Sequence, residues 1–261
     1  MRLGIISALH EEQQGLVEAM QKPYKLTHGM RDYWVGQLWK IDAVCVLSRI
    51  GKVAAAMTAT TLVEKFGVTH ILFTGVAGSG DKTIRVGDIV VADSLVQHDM
   101  DASPLFPRHE VPLTGLTHFK SDLSMALQLV EAAQQFLADS LTDAIALEER
   151  QAFAIDAPRV HRGLVASGDQ FINDRERIGR LNDALPGLLA VEMEGAAVAQ
   201  VCFELGMPFG VIRTISDNAN ENAATDFMRF VKSVAARYAF HVVRQFCLNL
   251  DRQASRVSAG T

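Results

Sequence analysis

Four acidic residues and one arginine stand where chemistry, rather than solubility, would explain them. In the segment 9–20, Leu9, Leu16, Ala19 and Met20 line one helical face, and Glu12 falls on that face, three residues after Leu9 and four before Leu16. Glu11 aligns with Gly15 and Glu18 on the wet side. Acids near a helix start are ordinarily explained by the helix dipole, but an inward carboxylate just past a strand sits where open α/β sheets bind ligands. Glu192 and Glu194 are spaced i, i+2 between flanks (Leu188–Val191 and Ala196–Val201) too apolar for a surface edge. Burying them is costly unless they bind something. Arg213 interrupts the apolar run Val211–Ile215 and needs a carboxylate partner. Ser216 and Asp217 close that run, and the residues 218–222 after them read as a loop rather than as a helix the pair could cap. Glu12, Glu194 and Asp217 thus converge on one sheet rim. Two carboxylates in different environments suit cleavage of a glycosidic bond, one protonating the leaving group and one activating water.

Short apolar runs alternating with longer amphipathic ones must position these groups, which is the βαβ pattern of a largely parallel sheet. The predicted strands are Leu3–Ile6, Tyr33–Leu38, Ile41–Leu47, His70–Thr74, Asp88–Ala92, Gly163–Ala166, Leu188–Val191 and Phe209–Ile215. The predicted helices are Leu9–Met20, Val53–Phe66, Ser121–Leu137, Arg175–Leu181, Ala196–Leu205 and Asp226 to about Leu248. A hairpin over Tyr33–Leu47 makes the sheet mixed. Segments Asp101–Pro112, with three prolines, and Ala138–Arg162 read as irregular, the first as a long ordered loop. Gly75, Gly78 and Gly80 would let backbone N–H groups approach a ligand, though a tight turn explains them equally and their spacing matches no nucleotide fingerprint. No linker divides the chain, so one domain over 1–250 is expected, followed by a disordered tail over 251–261.

Composition sets outer bounds. The 261 residues carry 25 Lys+Arg against 30 Asp+Glu, a net charge of −5, which argues against a partner such as nucleic acid. Three well-separated cysteines, Cys45, Cys202 and Cys247, read as reduced core thiols, and no apolar stretch reaches a membrane span, so a cytoplasmic protein is expected. His98-Asp99-Met100-Asp101 offers metal-ligand types without a partner at ligand spacing.

Taken together, Gly4-Ile5-Ile6-x-Ala8-x-x-Glu11-Glu12, Ile50-Gly51-Lys52-Val53, Thr74-Gly75-x-Ala77-Gly78, Val86-Gly87-Asp88-Ile89, Ser167-Gly168-Asp169-x-Phe171-Ile172, Val191-Glu192-Met193-Glu194 and Arg213-x-Ile215-Ser216-Asp217 resemble the 5′-methylthioadenosine/S-adenosylhomocysteine nucleosidases of the nucleoside phosphorylase superfamily. The resemblance implies a single α/β domain with a central mixed, partly barrel-like sheet wrapped by helices. It implies a homodimer, a small-molecule nucleoside substrate, and neither metal nor organic cofactor. Glu12 would activate water with Arg213 nearby, and Asp217, positioned by Ser216, would protonate N7 of adenine. Phe171 would stack on the base, the main chain of Ile172 would read its edge, and Met193 and Glu194 would hold the ribose. Leu9, Ile50, Ala77, Gly78 and Phe227 would complete the substrate site. Three departures stand out: Val76 where many members have Ser, Leu9 for a frequent Met, and an altered 101–112 loop. In the family that loop closes the neighbouring subunit's site, a role open here to Leu105, Phe106 or Pro112. Rival readings are a phosphate-dependent purine nucleoside phosphorylase, a sibling hydrolase for another 5′-substituted adenosine such as aminodeoxyfutalosine, and a non-catalytic nucleoside-binding protein.

Overall fold

The computed structural model describes residues 1–218 and 223–259. In chain order it contains β1 (Arg2–Ser7), α1 (His10–Ala19), β2 (Gln21–His28), β3 (Arg31–Leu38), β4 (Ile41–Leu47), α2 (Lys52–Glu64), β5 (His70–Ser79), β6 (Ile89–Gln97), β7 (His118–Lys120) and α3 (Leu123–Asp139). There follow α4 (Leu141–Ala144), α5 (Leu147–Ala152), β8 (Val160–Ser167), α6 (Arg175–Ala184), β9 (Leu188–Glu192), α7 (Gly195–Glu204), β10 (Phe209–Asp217), α8 (Ala223–Phe230) and α9 (Ala236–Ala259), the last two joined by a π-helical turn at Val231–Ala235.

One mixed sheet organises everything, and β5 is its branch point. Leu3–Ile6 of β1 pair in parallel with His70–Phe73 of β5, while β10 runs parallel along the other side of β5 from Ile71 to Gly78. Further on, Gly78 and Ser79 pair with Val191 and Ala190 of β9, so β5 changes partners between Phe73 and Gly78. The pairings β10–β6, β6–β8 and β8–β9 then close a five-stranded barrel, and β1, β4, β3 and β2 extend from it as an open wing. Helices α1, α3 and α9 cover one apolar layer, including Leu16, Leu129 and Phe246; α2 and α7 cover the other, including Leu62, Phe73 and Ala196.

The expected mixed barrel-like sheet is therefore present, with several local differences. Strand β2 was not predicted because all eight of its residues are exposed and it lacks an apolar face. The three-residue β7 is too short to leave a pattern. Within the supposedly irregular 138–162 lie α4 and α5. The expected disordered tail from 251 is instead helical through Ala259, because Asp251-Arg252-Gln253-Ala254 continues α9 with ordinary helix formers and glycine comes only at Gly260. Residues 219–222, read as loop, lie outside the described residues, as do 260 and 261. Among the described residues, no helix is long and apolar enough to cross a membrane.

Closure of the barrel depends on close backbone approach just past β5. The Gly80 N–H donates to Leu189 O (2.9 Å), and a Cβ there would lie 2.9 Å from Leu188 Cγ and 3.0 Å from the Ala190 nitrogen. Gly80→Ala should cost about 1–3 kcal/mol and lower the melting temperature by several degrees. Gly179→Ala, in α6 with nothing within 4 Å of the added carbon, should add about 0.5–1 kcal/mol of stability and raise it slightly. Thermal unfolding of both variants checks the pair of signs.

Candidate active site

Between the end of β1 pairing at Phe73 and the start of β9 pairing at Gly78, one flank of β5 has no strand beside it. A backbone donor in that gap needs another acceptor. Glu12, on the first turn of α1, supplies it: the Val76 N–H donates to Glu12 Oε1 (3.0 Å), and the Ala8 and Leu9 N–H groups donate to Oε2 (3.0 Å each). Gly75 makes room, since a Cβ there would sit 3.1 Å from Glu12 Oε1 and 3.5 Å from Arg213 Nη1. Burial raises the pKa of Glu12, opposed by its three backbone donors and by the positive field of Arg213. A carboxylate held this way remains a hydrogen-bond acceptor while gaining basicity.

Arg213, on β10, is 1% exposed and finds the carboxylate its strand position demanded in Glu192. Its Nη2 lies 2.7 Å and its Nε 3.3 Å from Glu192 Oε2; Nη1 donates to the carbonyls of Phe73 (3.2 Å) and Ile212 (3.0 Å), and the guanidinium stacks 4.0 Å from the centre of the Phe73 ring. Glu192 also accepts from Ser167 Oγ and from the N–H groups of Glu194 (3.2 Å) and Gly195 (2.8 Å). It therefore satisfies the buried donors at the start of α7 that have no partner within the helix and shapes the turn that presents Met193 and Glu194. Sequence reasoning singled out Glu192 but assigned it no role; the i, i+2 spacing was the signal, and its partner lay on another strand.

Asp217 is placed by an irregularity. Ile215 pairs with Ala77 and Asp217 with Gly78, so Ser216 is an extra residue that re-aims the aspartate. The Ser216 hydroxyl donates to Asp217 Oδ2 (2.8 Å) from a fully buried position. Glu194 accepts from the Gly51 N–H (2.8 Å) at the start of α2. Burial, then the neighbouring Glu192 charge, push its pKa up to about 8.

These groups border a cavity of about 250 Å³. Of the sequence-derived site residues, Glu12, Asp217, Arg213, Leu9, Ile50, Ala77, Gly78, Phe171, Ile172, Met193, Glu194 and Phe227 all reach it. Ser216 acts from behind Asp217, and Phe106 lies outside the cavity of its own chain. Phe171, 41% exposed, meets Phe227 edge-on with centroids 5.7 Å apart, two aromatic walls at the cavity mouth. Gly75, singled out for its backbone, and Val76, noted as a departure, border the cavity too, and Gln170 borders it without having been singled out.

The raised Glu194 pKa has a signed consequence for stability. Between the ordinary carboxylate range and about 8, the folded chain retains a proton that the unfolded chain has released, so stability is lost as pH rises through that window. Glu194→Gln cannot ionise and escapes that loss. Its melting temperature relative to the parent should rise by several degrees between about pH 5.5 and about pH 8.5; a difference that stays flat contradicts the assignment.

The family model described as the phosphorylase superfamily matches residues 2–247. A 5′-methylthioadenosine/S-adenosylhomocysteine nucleosidase of Shewanella halifaxensis is 32% identical over 243 residues, 93% of this chain and 97% of the relative. The crystal structure of a nucleosidase of that name from Neisseria meningitidis, in complex with methylthio-immucillin-A, is 30% identical with a TM-score of 0.83, covering 95% of this chain and 99% of its own. A futalosine hydrolase of Helicobacter pylori is 31% identical with a TM-score of 0.80, covering 97% and 98%. The chain thus belongs to the phosphorylase superfamily, within its family of 5′-methylthioadenosine/S-adenosylhomocysteine nucleosidases.

Proposed function

We propose that the chain is an N-glycosyl hydrolase that releases adenine from 5′-methylthioadenosine and S-adenosylhomocysteine, acting in the cytoplasm in methionine salvage. The observation that carries this reading is the presence, in one cavity, of Glu12 on three backbone donors and Asp217 on the Ser216 hydroxyl. Glu12 takes a proton from the attacking water. Asp217 protonates N7, so the base leaves neutral. Phe171 stacks on adenine, and the Ile172 main chain reads its edge. Met193 and Glu194 hold the ribose, and the ionised form of Glu194 stabilises the positive charge that develops on the ring. Arg213 is a positioning residue that acts through Glu192 and through its field on Glu12. These steps call for neither metal nor organic cofactor.

Phosphorolysis fits less well. Arg213 is the only basic side chain among the described cavity residues, and its guanidinium is engaged by Glu192 and two carbonyls. Arg49 donates to Met30 O (2.7 Å) and does not border the cavity, while Val76 presents an apolar side chain there. The similarity to a futalosine hydrolase, together with the altered 101–112 loop, keeps another 5′-substituent as the second reading. A homodimer is supported by exposed apolar side chains: Ile50, which lines the cavity, is 57% and Val53 82% exposed, and Leu105 and Leu113 are 84% and 91% exposed. In that dimer the 101–112 loop, with Phe106, closes the neighbouring site.

Adenine release should proceed from methylthioadenosine and S-adenosylhomocysteine without inorganic phosphate. Release only with phosphate overturns the hydrolase, and release only from aminodeoxyfutalosine moves the substrate to the second reading. Glu12→Gln and Asp217→Asn should each slow turnover about 10²- to 10⁴-fold, with adenosine-analogue binding largely kept; full activity in the double variant contradicts both roles. Sedimentation should read a mass of two 28.5 kDa chains, and a fully active single chain contradicts the shared-site closure.

A further inference from the structure

Three residues outside the cavity form a closed ring of contacts against its two recognition walls. The Lys52 N–H, at the start of α2, donates to Asp169 Oδ1 (2.7 Å). The Asp169 N–H donates to Asp99 Oδ2 (2.9 Å), and Asp99 Oδ1 receives the Lys52 ammonium at 2.6 Å. That ammonium also donates to Gln97 Oε1 (3.0 Å), whose amide donates in turn to Gln200 Oε1 on α7 (2.6 Å). The ion pair is only partly shielded, with side chains 15% and 21% exposed, and burial of Asp99 is outweighed by Lys52 and the Asp169 N–H, which hold its pKa below the usual range.

Two corners of the ring, Lys52 and Asp169, sit beside groups that face the cavity. Gly51 precedes Lys52 and donates its N–H to Glu194. Its φ of +99° favours glycine, and a Cβ there would lie 3.1 Å from Asp169 Oδ1. Gln170, Phe171 and Ile172, which follow Asp169, form a cavity wall. Moving Asp169 therefore shifts the aromatic wall and the donor on Glu194 together. None of Lys52, Asp99 and Asp169 borders the cavity, so direct contact with a ligand does not explain the ring. Nor does general stability explain it well, because a pair this close to the surface adds little to folding.

We propose that Lys52, Asp99 and Asp169 form a positioning clamp that presets the 168–172 loop against the start of α2, holding the base-stacking wall and the ribose-facing carboxylate at a fixed separation. The proposal rests on the nucleoside reading above. Its effect is on recognition: a loop that must be ordered by the ligand charges that ordering against affinity, while Glu12 and Asp217 stay on their own supports.

The test compares Asp99→Ala, Lys52→Met, their double variant, the milder Asp99→Asn and the conservative Lys52→Arg. Adenine release from methylthioadenosine is measured as separate kcat and KM, with adenine affinity by calorimetry and a melting temperature on the same samples. Asp99→Ala and Lys52→Met should each raise KM about tenfold with kcat within about threefold, as expected when ground-state and transition-state binding are lost equally. Adenine affinity should fall in step. The double variant should be no worse than either single one, Asp99→Asn should move KM the same way by less, and Lys52→Arg should stay near the parent. Unchanged KM and adenine affinity in folded Asp99→Ala, Lys52→Met and Asp99→Asn overturns the clamp, as does a fall in kcat alone that tracks lost folded protein. A parent chain that releases adenine from no nucleoside and binds no adenine instead overturns the nucleoside reading, and the clamp with it.

Discussion

The buried pair between Arg213 and Glu192 is the constraint on which the site depends. Side chains 1% and 3% exposed hold opposite charges on β10 and at the end of β9, two strands on different sides of β5. Taking such charges out of water is costly, and their mutual attraction offsets that cost only with good geometry and further hydrogen bonds. Here those bonds come from Ser167, the start of α7 and two carbonyls. The result ties the β10 strand bearing Asp217, the turn bearing Glu194 and the field acting on Glu12 into one unit. Removing either partner leaves a bare buried charge, so neither can drift without disturbing the others.

Around that pair, burial raises the pKa of two carboxylates that differ in their partners. Glu12 is buried but receives three backbone donors and the field of Arg213. Glu194 has one backbone donor and a like charge beside it in Glu192. Their contrast arises from topology. The partner change along β5 leaves the Val76 N–H open to Glu12, and the bulge at Ser216 turns Asp217 towards the same space. A sheet that paired regularly throughout would satisfy its own donors and leave no reactive centre.

Much of this was legible in the chain. Helical spacing put Glu12 on an inward face, where it is 2% exposed, and an arginine in an apolar strand announced a buried carboxylate partner. Periodicity could not say which carboxylate, because the pairing spans 21 residues and joins two elements. Strand β2 carried no apolar pattern, since all of it faces out, and the bulge at Ser216 is a property of register rather than of composition. The helical run past residue 251 was mistaken for a tail because small polar residues resemble one. Phe106 was read as closing the neighbouring subunit's site, and it stands apart from the cavity of its own chain.

A double-mutant cycle across the central pair tests the account most directly. Glu192→Gln, Arg213→Met and the double variant would be compared by denaturant unfolding. Each single change should cost about 3–5 kcal/mol, and the double variant should fall short of the sum by at least about 2 kcal/mol, because the second change removes the charge the first left stranded. Losses that simply add would contradict a coupled pair at the base of the site.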